Sequence, residues 1–433
     1  MNVSTKQHRI AELGQRHPER SFTSLHHYMD MGWLETAYTK LKRRSVPGID
    51  GVSVNQYGLN LASNLAQLLR RVQEGRYRAP ALKRGYIPKG DRSQEYRPIG
   101  IPATEDKVLQ RAVQMVLEPL YEPLFRNCSY GFRPGRSPHM ALEALWQCVM
   151  NYGGGWILDV DVRKFFDNLD HTHLQVLLKH RVSDGVICRL IGKCLRAGVM
   201  EAGCVSYPEK GSPQGSVISP ILSNIYLHYV LDEWFEKAVR SKLMGQAELI
   251  RFADDFLLVF SCRKDSERVF EVLPKRFKKY GLQLHPQKTR LIDFRRPTGG
   301  ARSASFDFLG FTHYWGKSRR NRMVVTRKTS RKRLSNALHE IHHWCRKYRH
   351  MPVRKQHEKL VLKLRGHYNY YGITGNIRSL RQFFWRVKRT WHYWLNRRSR
   401  ERCLTWERFE LSVLENCPLP EPRIYHSCYS AKP

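Results

Sequence analysis

The sequence predicts an α+β fold, with helices and short antiparallel strands up to about residue 315 and an all-helical, basic segment after it. Two stretches, Trp156–Asp170 and Arg251–Phe260, join β-prone apolar runs to aspartates, as strands ending at a polar break do. From Gly316 to Arg400 the apolar residues instead recur at three- and four-residue intervals, which suits amphipathic helices. The two periods occupy different parts of the chain, so a strand-bearing region precedes a helical one.

Residues 1–80 read as helix, turn and helix. Ser45–Gly51 is a turn-rich break, and Leu61, Leu65, Leu68, Leu69 and Val72 share one side of a helix predicted over 60–74. Tyr86–Gly90 and Tyr96–Pro102 then read as two short strands around a polar tip, which would hold Lys89 and Arg97 on one surface. Cations on a rigid hairpin can grip a triphosphate, although two surface cations beside a turn are the plainer reading. In Trp156–Asp170, alternation puts Asp159 and Asp161 on the same face, with at least one at the strand's open end. Lys210–Ser216 is a glycine-flanked turn leading into an apolar helix predicted over 218–234, and such a turn lets backbone approach a ligand closely. It also suits an ordinary loop.

Charge is the compositional outlier. The 433 residues hold 75 Lys plus Arg against 38 Asp plus Glu, a formal net charge of +37, and such a field concentrates a polyanion. Nucleic acid is the expected partner. A membrane is not, because no apolar run nears the ~20 residues of a spanning helix and the N-terminus lacks a signal-peptide core. The ten cysteines include no C-x-x-C pair, which argues against a zinc module or a secreted disulfide scaffold and fits a reducing cytoplasm. Between Gly316 and Arg400 there are 25 Lys or Arg against only Glu340 and Glu358. Leu334, Leu338, Ile341, Trp344, Leu360, Leu364, Phe384, Val387, Trp391 and Trp394 give that stretch a core, so it is a folded basic bundle and not a disordered tail. Aromatic and Arg side chains on such helices can stack on bases and track phosphates.

The adjacent Asp254 and Asp255 repel one another and are costly to desolvate, so a hairpin presenting them calls for a cation. Mg²⁺ already shared with a substrate's phosphates is the economical choice, and that points to nucleotidyl transfer. An Asp-Asp turn with no metal remains the alternative. Two-metal transfer takes carboxylates from separate strands, which Asp161 and the 254/255 pair supply.

Taken in order, Ile87-Pro88-Lys89, RPIGIP from Arg97, SYGFRPGRSPHMAL from Ser129, DVDVRKFFDNLDH from Asp159, GSPQGSVISPILSNIYL from Gly211, FADD from Phe252, GLQLHPQKT from Gly281 and DFLGF from Asp307 resemble the reverse transcriptase of a bacterial group II intron. The stretch from Arg327 through Gly366–Gly372 is similar to the thumb, or maturase, region of that family. Roughly residues 20 to 400 are covered. The resemblance implies a right-hand polymerase: a helical extension and start of the fingers over 1–80, fingers and palm over 81–315, a thumb over 316–400, and a short tail over 401–433. It further implies that Asp161, Asp254 and Asp255, with the Val162 carbonyl, hold two Mg²⁺ ions, Asp254 being the closer ligand of the pair. Lys89 and Arg97 would grip the triphosphate, and Phe166 would be the steric gate under the incoming sugar. Gln214 and Gly215 would line the nascent base pair, with Lys288 near the departing pyrophosphate. RNA contact falls to Arg327, Lys328, Arg331, Lys332, Arg365, His367, Tyr368, Tyr371, Arg381 and Lys388.

The implied function is RNA-directed DNA synthesis by attack of a primer 3′-hydroxyl on the α-phosphate of a deoxynucleotide. Splicing assistance to a group II intron RNA and intron mobility by target-primed reverse transcription accompany it. The partners implied are intron RNA, an RNA template with a DNA primer, dNTPs and a DNA target, in the bacterial cytoplasm, at the nucleoid when mobile. A domesticated or defence-associated reverse transcriptase, or a protein acting mainly as a splicing cofactor, shares the same motifs. Phe252 stands where Tyr is usual and Ser216 where a second Gly is common. Residues 401–433 hold Cys403, Cys417, His426 and Cys428 without the pairing of the family's endonuclease, so none is expected there.

Overall fold

The computed structural model describes residues 2–88, 96–201, 204–207, 210–298, 304–318, 320–398 and 404–427. They form two compact units. The first runs to Pro88 and adds Tyr96–Ala141 and Trp156–Leu291; the second takes Leu142–Gly155 and the chain from Ile292 onward.

The helix Thr104–Tyr121 is the spine of the first unit. Thirteen of its 18 residues are buried, and a helix covered all round must lie inside a core and not on it. The helices Val3–Arg16, Met31–Thr39, Leu61–Gln73 and Gly185–Leu195 belong to the same core. Leu61–Gln73 follows the predicted pattern, burying Leu65, Leu68 and Val72. Ser219–Leu227 begins where the helix over 218–234 was expected, then widens into π-helical turns at His228–Asp232 and Phe235–Val239.

Two sheets position the candidate site residues of this unit. Strand β1 (Leu82–Pro88) pairs antiparallel with β2 (Tyr96–Ile101), Ile87 opposite Arg97, so the expected pair of strands is present, with the first beginning four residues earlier than the sequence predicts. The short strands β4 (Val199–Glu201) and β5 (Cys204–Ser206) extend it in the order β2-β1-β4-β5. Lys89 lies outside the described residues. The second sheet has the order β6-β7-β3-β8, from β3 (Trp156–Val160), β6 (Ala247–Phe252), β7 (Asp255–Phe260) and β8 (Arg290–Asp293). Strand β7 buries Phe256 through Phe260 without alternation, which a central strand covered on both faces does.

The second unit corrects the expectation of an all-helical segment beginning at residue 316. Strands β9 (Phe306–Phe308), β10 (Phe311–Lys317) and β11 (Met323–Thr329) form an antiparallel meander that runs across that boundary. The reason is local. Leu309 and Gly310, both at positive φ, close a two-residue hairpin of the kind that matches strand twist, and β11 alternates, burying Val325, Arg327 and Thr329. Beyond it the helices Arg331–Lys347, Val353–Tyr371 and Ile377–Asn396 pack about Ile341, Leu360, Leu364, Val387 and Trp391, five of the predicted core positions. The other five lie at its half-buried edge. The expected tail is part of this core, since Phe409, Cys417 and Leu419 are buried in it.

Candidate active site and nucleic-acid interface

The β6–β7 hairpin pairs Phe252 with Asp255, so its loop is the two residues Ala253 and Asp254. Ala253 sits at φ +59°, a region that costs an L-residue ~1–2 kcal/mol. A buried polar clamp holds it there. The Arg251 guanidinium, fully buried, donates to both oxygens of the equally buried Asp232 at 2.8 and 2.5 Å. Its remaining nitrogen donates to the Asn224 side-chain oxygen at 3.0 Å and to the Ala253 carbonyl at 3.1 Å. The segment Cys128–Gly131 closes the other side: Arg251 N–H donates to the Cys128 carbonyl and Tyr130 N–H to the Arg251 carbonyl, each at 2.8 Å. A Cβ on Gly131 would lie 2.3 Å from the Ala253 nitrogen, so only glycine lets this segment run against the loop.

The carboxylates meet across the neighbouring strands. Val160 pairs with Phe256, and one further step of that register sets Asp161 opposite Asp255. Burial pushes the Asp254 carboxyl above its ordinary value and the Asp161 charge adds to this, against the pull of Arg97 and Arg251. Lys288 Nζ lies 3.2 Å from an Asp161 oxygen. Asp159 lies within β3 and pairs with Arg290 at 3.2 Å, whereas Asp161 follows the strand's last residue and is the member of the predicted same-face pair at its end. Bonds from His285 N–H to the Asp161 carbonyl and from Arg163 N–H to the Gln283 carbonyl bracket Val162, whose own carbonyl therefore points away from that partner. Among the described residues no three His, Cys, Asp or Glu side chains group into a self-sufficient metal site. Hard carboxylate oxygens, one set of them held above the ordinary range by burial and a neighbouring acid, are nonetheless a donor set suited to Mg²⁺ completed by phosphate oxygens.

The residues expected to contact the nucleotide gather around the 211–216 turn. Ser212 N–H donates to the Phe166 carbonyl at 2.7 Å, and Gly211, at φ +96°, passes where a Cβ would come within 2.9 Å of the Asp167 carbonyl. Phe166 itself is half-buried, edge-on to Phe165 at 5.3 Å. The far end of the turn reaches β2: Gly100 N–H donates to the Gln214 carbonyl at 2.7 Å, and Gly215 follows at φ +101°. The buried side-chain oxygen of Gln214 has no partner among the described residues. Arg97 is exposed on β2 and acts electrostatically on Asp254. Sequence reasoning missed Arg251, Asp232, Asn224 and Gly131, and it missed Phe132, 54% exposed at φ +56° with its ring 6.4 Å from that of Phe252.

In the second unit a groove of about 870 Å³ runs between the helices Arg331–Lys347 and Ile377–Asn396. Lys328, Arg331, Arg386 and Arg389 line it with His339, His342, Gln382 and Trp385, and no carboxylate is among the lining residues. Trp385 is 51% exposed, with the Arg389 guanidinium 4.6 Å from its ring centre. Of the ten residues expected to touch RNA, Lys328 and Arg331 lie in this groove, and Lys332, Arg365 and Arg381 are exposed elsewhere. Three are corrected. Arg327 is buried, donating to the Leu142 carbonyl at 3.2 Å beside Glu143, and Tyr368 is fully buried in the helical core. His367 is half-buried on the Phe383 ring at 3.8 Å, and burial pulls its pKa down to about 4, so it is a neutral packing group. Tyr371 is half-buried against Phe311, and the half-buried Lys388 holds its ammonium over Phe384. Trp385, Arg386, Arg389 and Gln382 were not singled out as contacts, because helical spacing alone does not tell which pair of helices leaves a groove.

Residues 87–313 match the family described as reverse transcriptase (RNA-dependent DNA polymerase). The chain is 35% identical over 246 residues to protein YkfC of Escherichia coli (strain K12), covering 50% of this chain and 64% of that protein. It is 34% identical over 224 residues to the group II intron-encoded protein LtrA of Lactococcus lactis subsp. cremoris, covering 51% of this chain and 36% of LtrA. Nuclear intron maturase 4 of Arabidopsis thaliana is 27% identical over 146 residues, 34% of this chain and 18% of that protein. The chain thus spans less than two thirds of the length of each of these relatives. No helix among the described residues is long and apolar enough to cross a membrane.

Proposed function

We propose a function from one premise, that the chain belongs to the reverse transcriptase (RNA-dependent DNA polymerase) family: it copies RNA into DNA and binds a group II intron RNA, assisting splicing and intron mobility. The observation that carries the polymerase reading is the convergence of Asp161 and Asp254 beside Arg97, with Phe166 tied to the turn that reaches β2. Asp161, Asp254 and Asp255, with the Val162 carbonyl, are the groups that would hold two Mg²⁺ ions. When bound, these would lower the pKa of the primer 3′-hydroxyl and neutralise the departing pyrophosphate.

The chain's own residues do the rest. Arg97, with Lys89, orients the triphosphate so that its α-phosphate lies in line with the 3′-hydroxyl. Lys288 carries an exposed ammonium beside Asp161 that would turn to the pyrophosphate as charge develops there. Phe166 fills the space under the sugar and excludes a 2′-hydroxyl, while Gln214 and Gly215 cover the nascent base pair. Phe252 keeps an aromatic ring near the primer end without a hydroxyl. Asp254→Ala is expected to abolish primer extension on an RNA template while RNA binding persists; appreciable synthesis by the purified variant would overturn the assignment. Phe166→Ala should admit ribonucleotides, and an unchanged dNTP preference would remove it from the gate.

The acid-free groove with its exposed Trp385 supports the splicing role beside the polymerase role. Cations along its walls would take phosphates, and the indole offers a face on which an unpaired base can stack.

A further inference from the structure

We propose that Gln110 is a positioning residue for deoxynucleotide binding, acting from inside the core on the turn that carries Gln214 and Gly215. Its side-chain oxygen accepts from Ser216 Oγ at 2.6 Å, Val217 N–H at 2.9 Å and Ile218 N–H at 3.4 Å. Val217 and Ile218 lead into the helix Ser219–Leu227, which has no side-chain cap of its own, so one buried amide from a distant helix does the work of a cap.

The orientation of that amide is over-determined. Gln110 Nε2 donates to one oxygen of Asp106 at 2.8 Å, and the other Asp106 oxygen accepts from the Tyr77 hydroxyl at 2.8 Å. An ionised carboxylate accepts only, and the Val217 and Ile218 N–H groups donate only, so nitrogen must face Asp106 and oxygen the turn. Tyr77, Asp106 and Gln110 are each at most 1% exposed, so these bonds lie away from bulk solvent.

The turn is fixed at both ends and reaches the nucleotide side between them. At its start Ser212 N–H holds the Phe166 carbonyl and Ser212 Oγ donates to Ser219 Oγ at 2.6 Å. At its end stands Gln110. In the middle the Gln214 carbonyl accepts from Gly100 N–H on the strand that carries Arg97. Freeing the Gln110 end therefore loosens the cover over the nascent pair and the backbone of the sugar gate together. The acids on the β6–β7 hairpin are held separately, by Arg251. The effect belongs to nucleotide affinity and sugar choice more than to the chemical step.

The test uses the full chain and steady-state primer extension on an RNA template. Gln110→Met, near in shape but with no acceptor, should raise the KM for dNTP about tenfold or more with kcat changed by less than about threefold, and should weaken dNTP over rNTP selection. Gln110→Glu alone sets two buried carboxylates side by side and should also raise KM. Adding Asp106→Asn restores every donor and acceptor: the amide introduced at position 106 donates to the carboxylate introduced at position 110, its oxygen accepts from Tyr77, and that carboxylate accepts from the turn. The double variant should return KM to within about threefold of the parent. A folded Gln110→Met variant with unchanged KM overturns the proposal, as does a folded double variant whose KM stays as high as that of Gln110→Glu. If Gln110→Met does not fold, the double variant decides alone by the same KM. The inference rests on the reading of Gln214 as a nucleotide contact. If Gln214→Ala leaves KM unchanged, that reading has failed; if Gln214→Ala raises KM and Gln110→Met does not, this inference has.

Discussion

Arg251→Met tests whether the Ala253–Asp254 loop is held by its buried ion pair. The guanidinium makes four side-chain hydrogen bonds, two to Asp232, one to Asn224 and one to the Ala253 carbonyl, and both charged groups are fully buried. Removing the cation strands the Asp232 charge, which costs ~3–5 kcal/mol, a large share of the ~5–15 kcal/mol that holds a domain folded. Asp232→Leu in the same chain removes the stranded charge, and an apolar pair of similar volume should recover most of that loss. The loop does not recover. Ala253 keeps its left-handed backbone with no donor on its carbonyl, leaving it ~1–2 kcal/mol easier to relax out of place. Urea unfolding followed by fluorescence, paired with primer extension, separates the two effects: the single variant should lose stability and activity, and the double variant should regain stability without activity. A single-variant loss below about 1 kcal/mol would refute the claim of a desolvated pair. Regained synthesis in the double variant would refute the claim that Arg251 holds the loop.

Burial pushes the Asp106 carboxyl up to about 6 from its ordinary 3.8, so the folded chain keeps a proton that the unfolded chain has released. Stability tied to that proton is complete below about pH 4 and lost above about pH 6, roughly 3 kcal/mol in all; Asp106→Asn should flatten this slope in urea midpoints measured between pH 4 and 7, and an unchanged slope would exclude Asp106 as its source. Gly131→Ala should abolish primer extension in a protein that still melts cooperatively, because the new Cβ lies 2.3 Å from the Ala253 nitrogen; retained extension would mean that the loop has room to move. Trp385→Ala should weaken binding of a single-stranded RNA by ~1–3 kcal/mol at fixed salt with the salt slope unchanged, whereas Arg386→Ala should reduce the slope of log affinity against log salt by about 1. A slope change on removing the indole would show that Trp385 acts through charge placement and not stacking.

Local patterns carried much of this architecture into the sequence. Alternation and turn residues located β1, β2, β3 and the β6–β7 hairpin, and helical spacing located Leu61–Gln73 and the basic bundle, because each is a short-range signal. The Thr104–Tyr121 helix was not legible: covered on every side, it has no polar face to generate a period, and its buried Asp106, Lys107 and Gln110 break any apolar run. Strand β11 was absorbed into the helical expectation because basic residues dominate its surroundings, although Met323-Val324-Val325-Thr326 is β-prone. At the site, the acids stood out by residue type, and Phe166 only through the family resemblance. Arg251 did not, since an arginine beside an apolar strand reads as exposed until Asp232, 19 positions away in sequence, is known to meet it. Tyr368 and Arg327 failed in the opposite sense: a tyrosine and an arginine in a basic stretch read as RNA contacts, and the core claimed both.

Five of the missed residues share a property that argues for their role. Asp106, Gln110, Asn224, Asp232 and Arg251 are each at most 1% exposed, and each pays desolvation that well-packed apolar side chains would avoid. Their bonds do not end in the core. One set ends on the Ala253 carbonyl beside Asp254, and the other on the nitrogens that follow Gly215. Apolar packing fixes volume but tolerates small slides of a loop, whereas a hydrogen bond from a buried group loses most of its value once its angle falls toward 120°. The loop that carries Asp254 and the turn that carries Gln214 and Gly215 are therefore held by polar groups, at a cost in stability that the large apolar core around Thr104–Tyr121 is able to carry.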